Sequence, residues 1–180
     1  MTKFLKLNIQ LFGASASNSA TLTSSAGNKA TIGVSFTENS TNITNNTSNI
    51  SVSGYIKMTT GAFSQYYTPT IAVYWHDNRS NTDTLIQSKD VTALSRNQQV
   101  DVGGTFDVSH NTDGTLYGYA FTVWTYNGSG KYAPPTGSTY TANTRLTDIP
   151  RATPTPSISG YIGSSTTISL SRNSSSFTHR

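Results

Sequence analysis

Apolar and polar residues alternate one by one along much of this chain, which is the period of a β-strand with one buried face. No segment repeats its apolar residues at the spacing of a helix face. The strands predicted for the body of the chain cover residues 30–36, 50–58, 70–75, 116–125 and 140–146, with a return strand that starts at Leu85. The apolar residues within 100–102 and 106–108 frame a break at Gly103-Gly104.

Turn signals separate these strands. The strongest is Asp113-Gly114, because both residues tolerate the positive φ of a tight hairpin. An Asn/Thr/Ser-rich loop is predicted over residues 38–49 and another loop over residues 127–137. Many short strands without helices predict an all-β fold, an antiparallel β-sandwich of roughly eight strands. Its topology is either jelly-roll or immunoglobulin-like, and the sequence leaves both open.

The pattern divides the chain into five segments. Residues 1–13 are predicted to be an extended N-terminal arm, residues 14–27 a flexible tether of small polar residues, and residues 28–150 the β-sandwich. Residues 151–157 form a proline-rich linker, which is stiff. Residues 158–180 are predicted to begin an incomplete second β module, since so short a segment rarely buries a core of its own. We therefore expect the chain to be a piece of a longer protein.

The arm carries an apolar face on an extended strand, formed by Leu5, Leu7, Ile9 and Leu11 and followed by Phe12. Polar residues between them interrupt the run, so we do not expect a secretory signal peptide. We predict that the arm docks onto another protein by strand addition. The alternative is that it forms the first strand of the same sheet.

Composition suits a β-sheet protein with a polar but weakly charged surface. Apolar residues make up 34% and charged residues only 11% of the chain, and Ser, Thr, Asn and Gly supply most of the polarity. The net charge of +4 is spread thinly, whereas nucleic-acid-binding proteins cluster Lys and Arg. No apolar run approaches the ~18 residues of a membrane span. We expect neither nucleic acid nor a membrane as a partner. Since there is no cysteine, stability must come from the core or from assembly.

Residues that could carry catalysis are few. The chain holds 3 His and 8 carboxylates, and it has no Gly-x-Ser-x-Gly elbow of a serine hydrolase. His110 and Asp113 suggest an acid/base or metal pair, but turn chemistry explains them better, with Asp113 shaping the turn and His110 ending the preceding strand. The only Glu, Glu38, is expected to be remote from this turn. We predict no catalytic residue, no metal site and no cofactor.

Tyrosines offer a different kind of site. Tyr66, Tyr126 and Tyr132 are candidates for exposed rings that stack on the C–H face of a sugar, with polar neighbours that bond its hydroxyls. Most Tyr residues in a β-sandwich are instead core or cross-strand partners. A glycan-binding site at these three residues, with a cell-wall glycan as ligand, is therefore kept as an alternative.

Two short motifs resemble a known family. The motif Val-Ser-His-Asn-Thr-Asp-Gly at 108–114 precedes a strand, and the motif Leu-Thr-Asp-Ile-Pro-Arg-Ala at 146–152 follows it. Together they resemble the minor structural proteins of siphoviruses, over roughly residues 20–180. Residues 163–168 and 172–179 are similar to the opening of the next module in that family. Residues 7–12 depart from it and resemble the first residues of many phage head proteins, so tail and head placement are both open.

The resemblance implies a non-enzymatic virion protein on the surface of a phage particle, either a fibre-like or a decoration component. We expect the arm to anchor it to other virion proteins, the β modules to project outward for host-surface attachment, and the protein to form a homo-oligomer. The alternative is a glycan-binding module of a phage receptor-binding protein or of a bacterial surface adhesin.

Overall fold

The computed structural model describes residues 13–64, 69–128 and 131–150, together with the backbone of two later strands. Every regular element in these parts of the chain is a β-strand. The strands are β1 Ser15–Thr23, β2 Lys29–Asn42, β3 Thr47–Thr60, β4 Phe63–Ser64, β5 Thr70–Asp77, β6 Thr82–Asp90, β7 Ala93–Leu94, β8 Gln99–Ser109, β9 Tyr117–Thr125, β10 Gly137–Tyr140, β11 Thr144–Arg145, β12 Thr155–Ser159 and β13 Thr167–Ser171.

Two antiparallel sheets pack face to face. The front sheet has the strand order β1-β2-β3-β8. The back sheet has the order β10-β9-β5-β6, and β11 also pairs with β9. The short strands β4 and β7 pair with each other, and β12 pairs with β13 in a separate hairpin. The predicted all-β antiparallel sandwich is confirmed.

The core lies between the sheets and is built by the alternation in the sequence. In β2 and β3 every second residue points inward, and the register places Ile32 opposite Ile56 and Phe36 opposite Val52. Phe36 meets Trp75 of β5 edge to face, with ring centroids 5.1 Å apart. Burying a large apolar side chain stabilises the fold by about 1.5–3 kcal/mol. The largest buried side chains are Trp75, Trp124, Phe36, Ile32, Ile50, Ile56, Met58, Ile71, Leu116, Leu146, Ile149 and Val52.

Gly54 lies where the two sheets approach each other closely. A Cβ at this position would lie 2.2 Å from Thr122 Oγ1 of β9, so no side chain fits without moving the sheets apart. The register between β2 and β3 is regular here, with Gly54 opposite Val34. A close approach, rather than a bulge, therefore explains this glycine.

The prediction of a flexible tether over residues 14–27 was wrong. Strand β1 occupies the middle of this range and pairs with β2 along its whole length. Ala16, Ala20 and Leu22 are half-buried and pack against the core. The residues between them are mostly Ser and Thr, which suit the solvent side of an edge strand. Because the half-buried apolar residues of β1 are two Ala and one Leu, its apolar face is too weak to be seen in the sequence.

The predicted loop over residues 38–49 is much shorter in the structure. Strand β2 continues to Asn42 and β3 begins at Thr47, so a tight turn joins them. Asn46 closes this turn with a φ of 57°, a conformation that Asn tolerates better than most residues. Asn/Thr/Ser-rich sequence here forms the ends of two long strands, with side chains that bond across the ladder.

Candidate functional sites on a sandwich with two unlike faces

Both described ends of the sandwich lie at the same end of the molecule, here called the terminal end. The amide of Ala14 and the amide of Thr147 both donate to Glu38 Oε2, over 3.0 and 2.9 Å. The amide of Ile149 donates to the carbonyl of Gly114, over 3.0 Å, at the same end. The residues before 13 and after 150 are therefore attached to the sandwich side by side.

The opposite, distal end is formed by other loops, which also bond to one another. The amide of Ala26 donates to the carbonyl of Lys131 over 2.9 Å. Asn28 Nδ2 donates to the carbonyls of Ala62 and Tyr132, over 2.9 and 3.2 Å. The strands between the two ends have 9 to 14 residues in β2, β3 and β9, which corresponds to about 30–45 Å.

Glu38 is the centre of the terminal end. It sits at the inward face of β2 and is almost fully buried. Its Oε2 accepts from Ala14, from the amide of Thr147 and, over 2.7 Å, from the Thr147 hydroxyl. Its Oε1 accepts from the Ser48 hydroxyl over 2.5 Å. One carboxylate thus holds together the first strand, the β2–β3 turn region and the last segment of the sandwich.

His110 extends this network. Its Nε2 lies 2.7 Å from Ser48 Oγ and its Nδ1 lies 2.8 Å from the carbonyl oxygen of Gly114. The carbonyl can only accept, so Nδ1 carries a hydrogen. The Ser48 hydroxyl donates to Glu38 Oε1. Ser48 therefore lies between the His110 ring and the Glu38 carboxylate and contacts both.

Hydrogen bonding decides the charge state of Glu38. Burial on its own raises the pKa of this carboxyl group and is the largest single influence. The hydrogen bonds from Ser48, Thr147 and Ala14 together outweigh it, so the pKa lies below its usual value of 4.5. The expectation that Glu38 is remote from the 110–114 turn was wrong, because β2 and β3 pair as far as their ends and bring Ser48 between the two side chains.

Ser48, His110 and Glu38 contain the residue types of a hydrolase triad, but their arrangement differs. In a triad the serine donates to histidine and the carboxylate orients the histidine. Here Ser48 is completely buried, and it bonds to both of the other groups. Asp113 accepts from the amide and the hydroxyl of Thr115, over 2.9 and 2.7 Å, in agreement with its predicted role in the turn. The network fastens the terminal end rather than exposing a nucleophile.

Two of the three predicted glycan-binding tyrosines are described, and both lie at the distal end. Tyr126 lines an open hollow of about 320 Å³ together with hydroxyl residues such as Ser24 and Thr136. Tyr132 is 50% exposed beside the Lys131 ammonium group, which is 5.1 Å from the ring centroid, but it does not line that hollow. Tyr66, like Leu5, Leu7, Ile9, Leu11 and Phe12 of the arm, lies outside the described residues.

Sequence reasoning missed an aromatic surface on the back sheet. The rings of Tyr74, Phe121 and Tyr140 stack across three neighbouring strands, with centroids 4.8 and 5.4 Å apart. In the next row His76 stacks on Tyr119 at 4.6 Å. The register explains this aromatic ladder, because Tyr74 lies directly opposite Phe121 and His76 opposite Tyr119. The signal in the sequence was the outward-facing series of aromatic residues in β9.

The outer face of the front sheet, here called the hydroxyl face, has the opposite character. Ser51 bonds to Thr105 and Ser35 bonds to Ser53 across the strands, each over 3.1 Å. Tyr55 is the one aromatic residue that these four strands direct outward. The outward-facing residues are Ser15, Ser17, Ser19, Thr21, Thr31, Gly33, Ser35, Thr37, Asn49, Ser51, Ser53, Tyr55, Lys57, Gln99, Asp101, Gly103, Thr105 and Asp107.

Neither a membrane-crossing segment nor a metal cluster emerges from the described residues. They contain no helix long and apolar enough to cross a bilayer. They also contain no group of three or more His, Asp and Glu residues able to hold a metal ion.

Comparison with known proteins supports the resemblance seen in the sequence. No curated protein sequence matches the chain. Residues 23–180 match the family described as "Siphovirus protein of unknown function (DUF859)". This range agrees with the region of roughly 20–180 on which the resemblance to siphovirus proteins was based. Since the match covers most of the 180 residues, the chain belongs to this siphovirus family and is a bacteriophage protein.

Proposed function

We propose that the chain is a non-enzymatic structural protein of the phage particle, attached by its N-terminal arm and exposing its β modules to the surroundings. Membership of a siphovirus family supports the phage setting. The observation that carries the proposal is the position of the two ends of the described sandwich, Ala14 and Thr147, both bonded to Glu38 at the terminal end. An arm that leaves from residue 13 would hold this end to the particle and point the distal end outward.

The same geometry bears on the modules that follow. A chain that enters and leaves a sandwich at opposite ends adds the length of that sandwich to a fibre. Here the next segment leaves beside the arm, because Thr147 and Ala14 share one carboxylate oxygen. The sandwich is then a lobe at the side of the chain path. Its distal end and both outer faces are available for contact with a host surface or with neighbouring proteins.

Two observations support a non-enzymatic role. The described residues that most resemble a catalytic set, Ser48, His110 and Glu38, are buried and use their polar atoms on one another. The aromatic ladder and the hydroxyl face each extend across several strands, which suits adhesion better than turnover. We therefore propose that the protein acts through contacts made by the outer faces of its two sheets.

Association between copies is part of the proposal. Leu85, Tyr117 and Tyr140 are 52%, 41% and 47% exposed, and all three lie on the outer face of the back sheet. Aromatic residues are enriched in protein interfaces. Sedimentation equilibrium should show a concentration-dependent oligomer that Leu85→Ser with Tyr140→Ser weakens. Ser51→Ala and Ser53→Ala, on the opposite face, serve as matched controls and should leave the association unchanged.

The anchoring role is tested in the arm. Replacing Leu7 and Ile9 by Lys should remove the protein from purified virions, as measured by quantitative mass spectrometry and by immunogold labelling in negative stain. Replacing Lys6 and Asn8 by Ser changes the opposite face and should leave incorporation unchanged. Circular dichroism should show the same thermal unfolding for all variants. Normal incorporation of the Leu7/Ile9 variant contradicts anchoring, and loss of folding makes the arm a strand of the sandwich instead.

Binding of a host cell-wall glycan is a second candidate function. The specific observation that favours it is the presence of tyrosine rings beside hydroxyl-lined hollows, at Tyr126 on the distal end and at Tyr55 on the hydroxyl face. A glycan array and titration with purified cell-wall polysaccharide test it. Absence of binding by the full chain, with normal virion incorporation, leaves the structural role alone.

A further inference from the structure

Tyr55 occupies an unusual position on the hydroxyl face. It lies directly opposite Gly33 of β2, and on its other side directly opposite Asp101 of β8. A Cβ on Gly33 would lie 2.2 Å from Tyr55 Cε1 and 2.4 Å from Cζ, so the ring covers the place of a side chain at 33. Gly33 is buried although it points outward, and Tyr55 remains half-exposed. The ring therefore leans across β2, with one side on backbone and the other toward solvent.

This lean opens a hollow beside the ring. The hollow has a volume of about 400 Å³, and Tyr55 forms one wall of it. The remaining walls come from Ser17, Asn18, Ser19, Val34 and Ser35. None of these six residues is charged, and five of them carry a hydroxyl or amide group.

Several of these polar groups have capacity left for a ligand. The hydroxyls of Tyr55, Ser17 and Ser19 have no hydrogen-bond partner among the described residues. Ser35 Oγ shares one bond with Ser53 Oγ over 3.1 Å, which leaves lone-pair capacity on both oxygens. Asn18 Nδ2 is held by the carbonyl of Tyr140 over 2.8 Å, and its Oδ1 accepts from the amide of Ser19, which fixes the wall in place.

The geometry points to a binding site for a neutral saccharide on the hydroxyl face, with Tyr55 as the stacking ring. This inference rests on glycan binding as the second candidate function and names its site. The face of an aromatic ring carries partial negative charge, which attracts the C–H groups on one side of a sugar ring. The hydroxyls of Ser17, Ser19 and Ser35 then donate to and accept from the sugar hydroxyls. A walled site without a formal charge selects an uncharged sugar over a phosphate or a uronic acid.

The position of the ring within the sheet favours this site over the two other aromatic regions. Rings of the aromatic ladder stack on one another, so Phe121 has its faces covered by Tyr74 and Tyr140. Tyr126 belongs to the segment between β9 and β10 rather than to a strand. Tyr55 lies in β3, which is paired on both sides in the front sheet. Sites built on strands hold their geometry better than sites on loops.

The experiment measures binding of the full chain to an array of neutral oligosaccharides, then titrates the best ligand and purified Gram-positive cell-wall polysaccharide by calorimetry. Tyr55→Ala should weaken binding by about tenfold or more, since it removes the stacking ring. Tyr55→Phe should retain most of the affinity. Gly33→Val keeps the ring but forces it off β2, and it should lose binding to a similar extent. Thermal unfolding of each variant shows that the fold is intact.

Tyr117→Ala, an exposed tyrosine on the back sheet, is the matched control, and it should bind as the unchanged protein does. Binding that survives Tyr55→Ala but is lost in Tyr126→Ala overturns the site and leaves the glycan function standing. Absence of binding to any array member or to the polysaccharide overturns both. Equal losses in all tyrosine variants contradict a site specific to the hydroxyl face.

Discussion

The outer faces of the two sheets carry side chains of opposite character. On the front sheet, outward side chains are mainly Ser, Thr, Asn and Asp, bonded in short cross-strand contacts such as Ser51 to Thr105. On the back sheet, outward side chains include a ladder of stacked rings, in which Phe121 is only 8% exposed although no third layer covers it among the described residues. A sheet can thus shield one face with its own aromatic side chains or leave it hydrated.

The difference assigns different roles to the faces. Stacked rings bury apolar area against each other and so contribute to stability. Hydroxyl ladders exchange bonds with water for bonds with neighbours, which gives little net free energy. The aromatic ladder should therefore matter for folding and association. The hydroxyl face should be free to vary or to bind, without a large effect on stability.

The largest expected loss of stability comes from a substitution at the centre of the aromatic ladder. Phe121→Ala removes a nearly buried ring that stacks on both Tyr74 and Tyr140. We expect it to lower the free energy of unfolding by about 2–4 kcal/mol, near the lower part of the range for buried aromatic residues. Urea unfolding followed by tryptophan fluorescence measures this as a shift of the midpoint at constant slope.

The matched control for Phe121→Ala is Thr105→Ala on the hydroxyl face, which removes one cross-strand hydroxyl contact. We expect it to change the free energy of unfolding by less than about 1 kcal/mol. Equal effects of the two substitutions would show that the ladder is no more important for folding than the hydroxyl contacts. The contrast between the faces would then be one of composition alone.

An intermediate loss of stability is expected from a substitution at the terminal end, where Glu38 joins the two sheets. Glu38→Gln replaces a carboxylate that accepts four hydrogen bonds and faces His110 through Ser48. An amide offers one oxygen, and its NH₂ group meets donors instead of acceptors. We expect a loss of about 1–3 kcal/mol at pH 7, measured by urea unfolding, and faster hydrogen exchange at the amides of Ala14 and Thr147.

This loss should depend on pH with a defined sign. The pKa of Glu38 is lowered by folding, so its stabilisation is fully present above the unfolded value near 4.5 and is lost as the pH falls through the folded pKa. The difference in free energy of unfolding between the unchanged protein and Glu38→Gln should therefore be constant from pH 6 to 7 and should disappear at more acidic pH. A difference that stays constant into the acid range would contradict a carboxylate in the folded state.

The contrast between the faces also shows which parts of the fold can be predicted from sequence. The strand over residues 116–125 was predicted, and its alternation places Tyr119 and Phe121 on one side and Ala120 and Trp124 on the other. Period-two alternation is a local property, so each strand reveals its own faces.

Features that depend on register could not be predicted. The orientation of the Tyr55 ring depends on Gly33, which is 22 positions away and lies opposite it. The sequence of one strand alone does not reveal its register with the other. Likewise, Glu38 meets Thr147 across 109 positions. The glycan candidates Tyr66, Tyr126 and Tyr132 were chosen as exposed rings. That criterion does not select Tyr55, which is only half-exposed because its ring lies over Gly33 of the neighbouring strand.

The smallest effect should be found on the hydroxyl face. Ser51→Val replaces a hydroxyl that bonds to Thr105 and to Asn39 Nδ2 with a β-branched side chain that suits a strand. The two contributions oppose each other, so the free energy of unfolding should stay within about 0.5 kcal/mol of its original value. Urea unfolding measures the change, and sedimentation shows whether an added apolar group promotes association. A loss as large as that of Phe121→Ala would mean that hydroxyl contacts, and not only buried rings, hold this sandwich together.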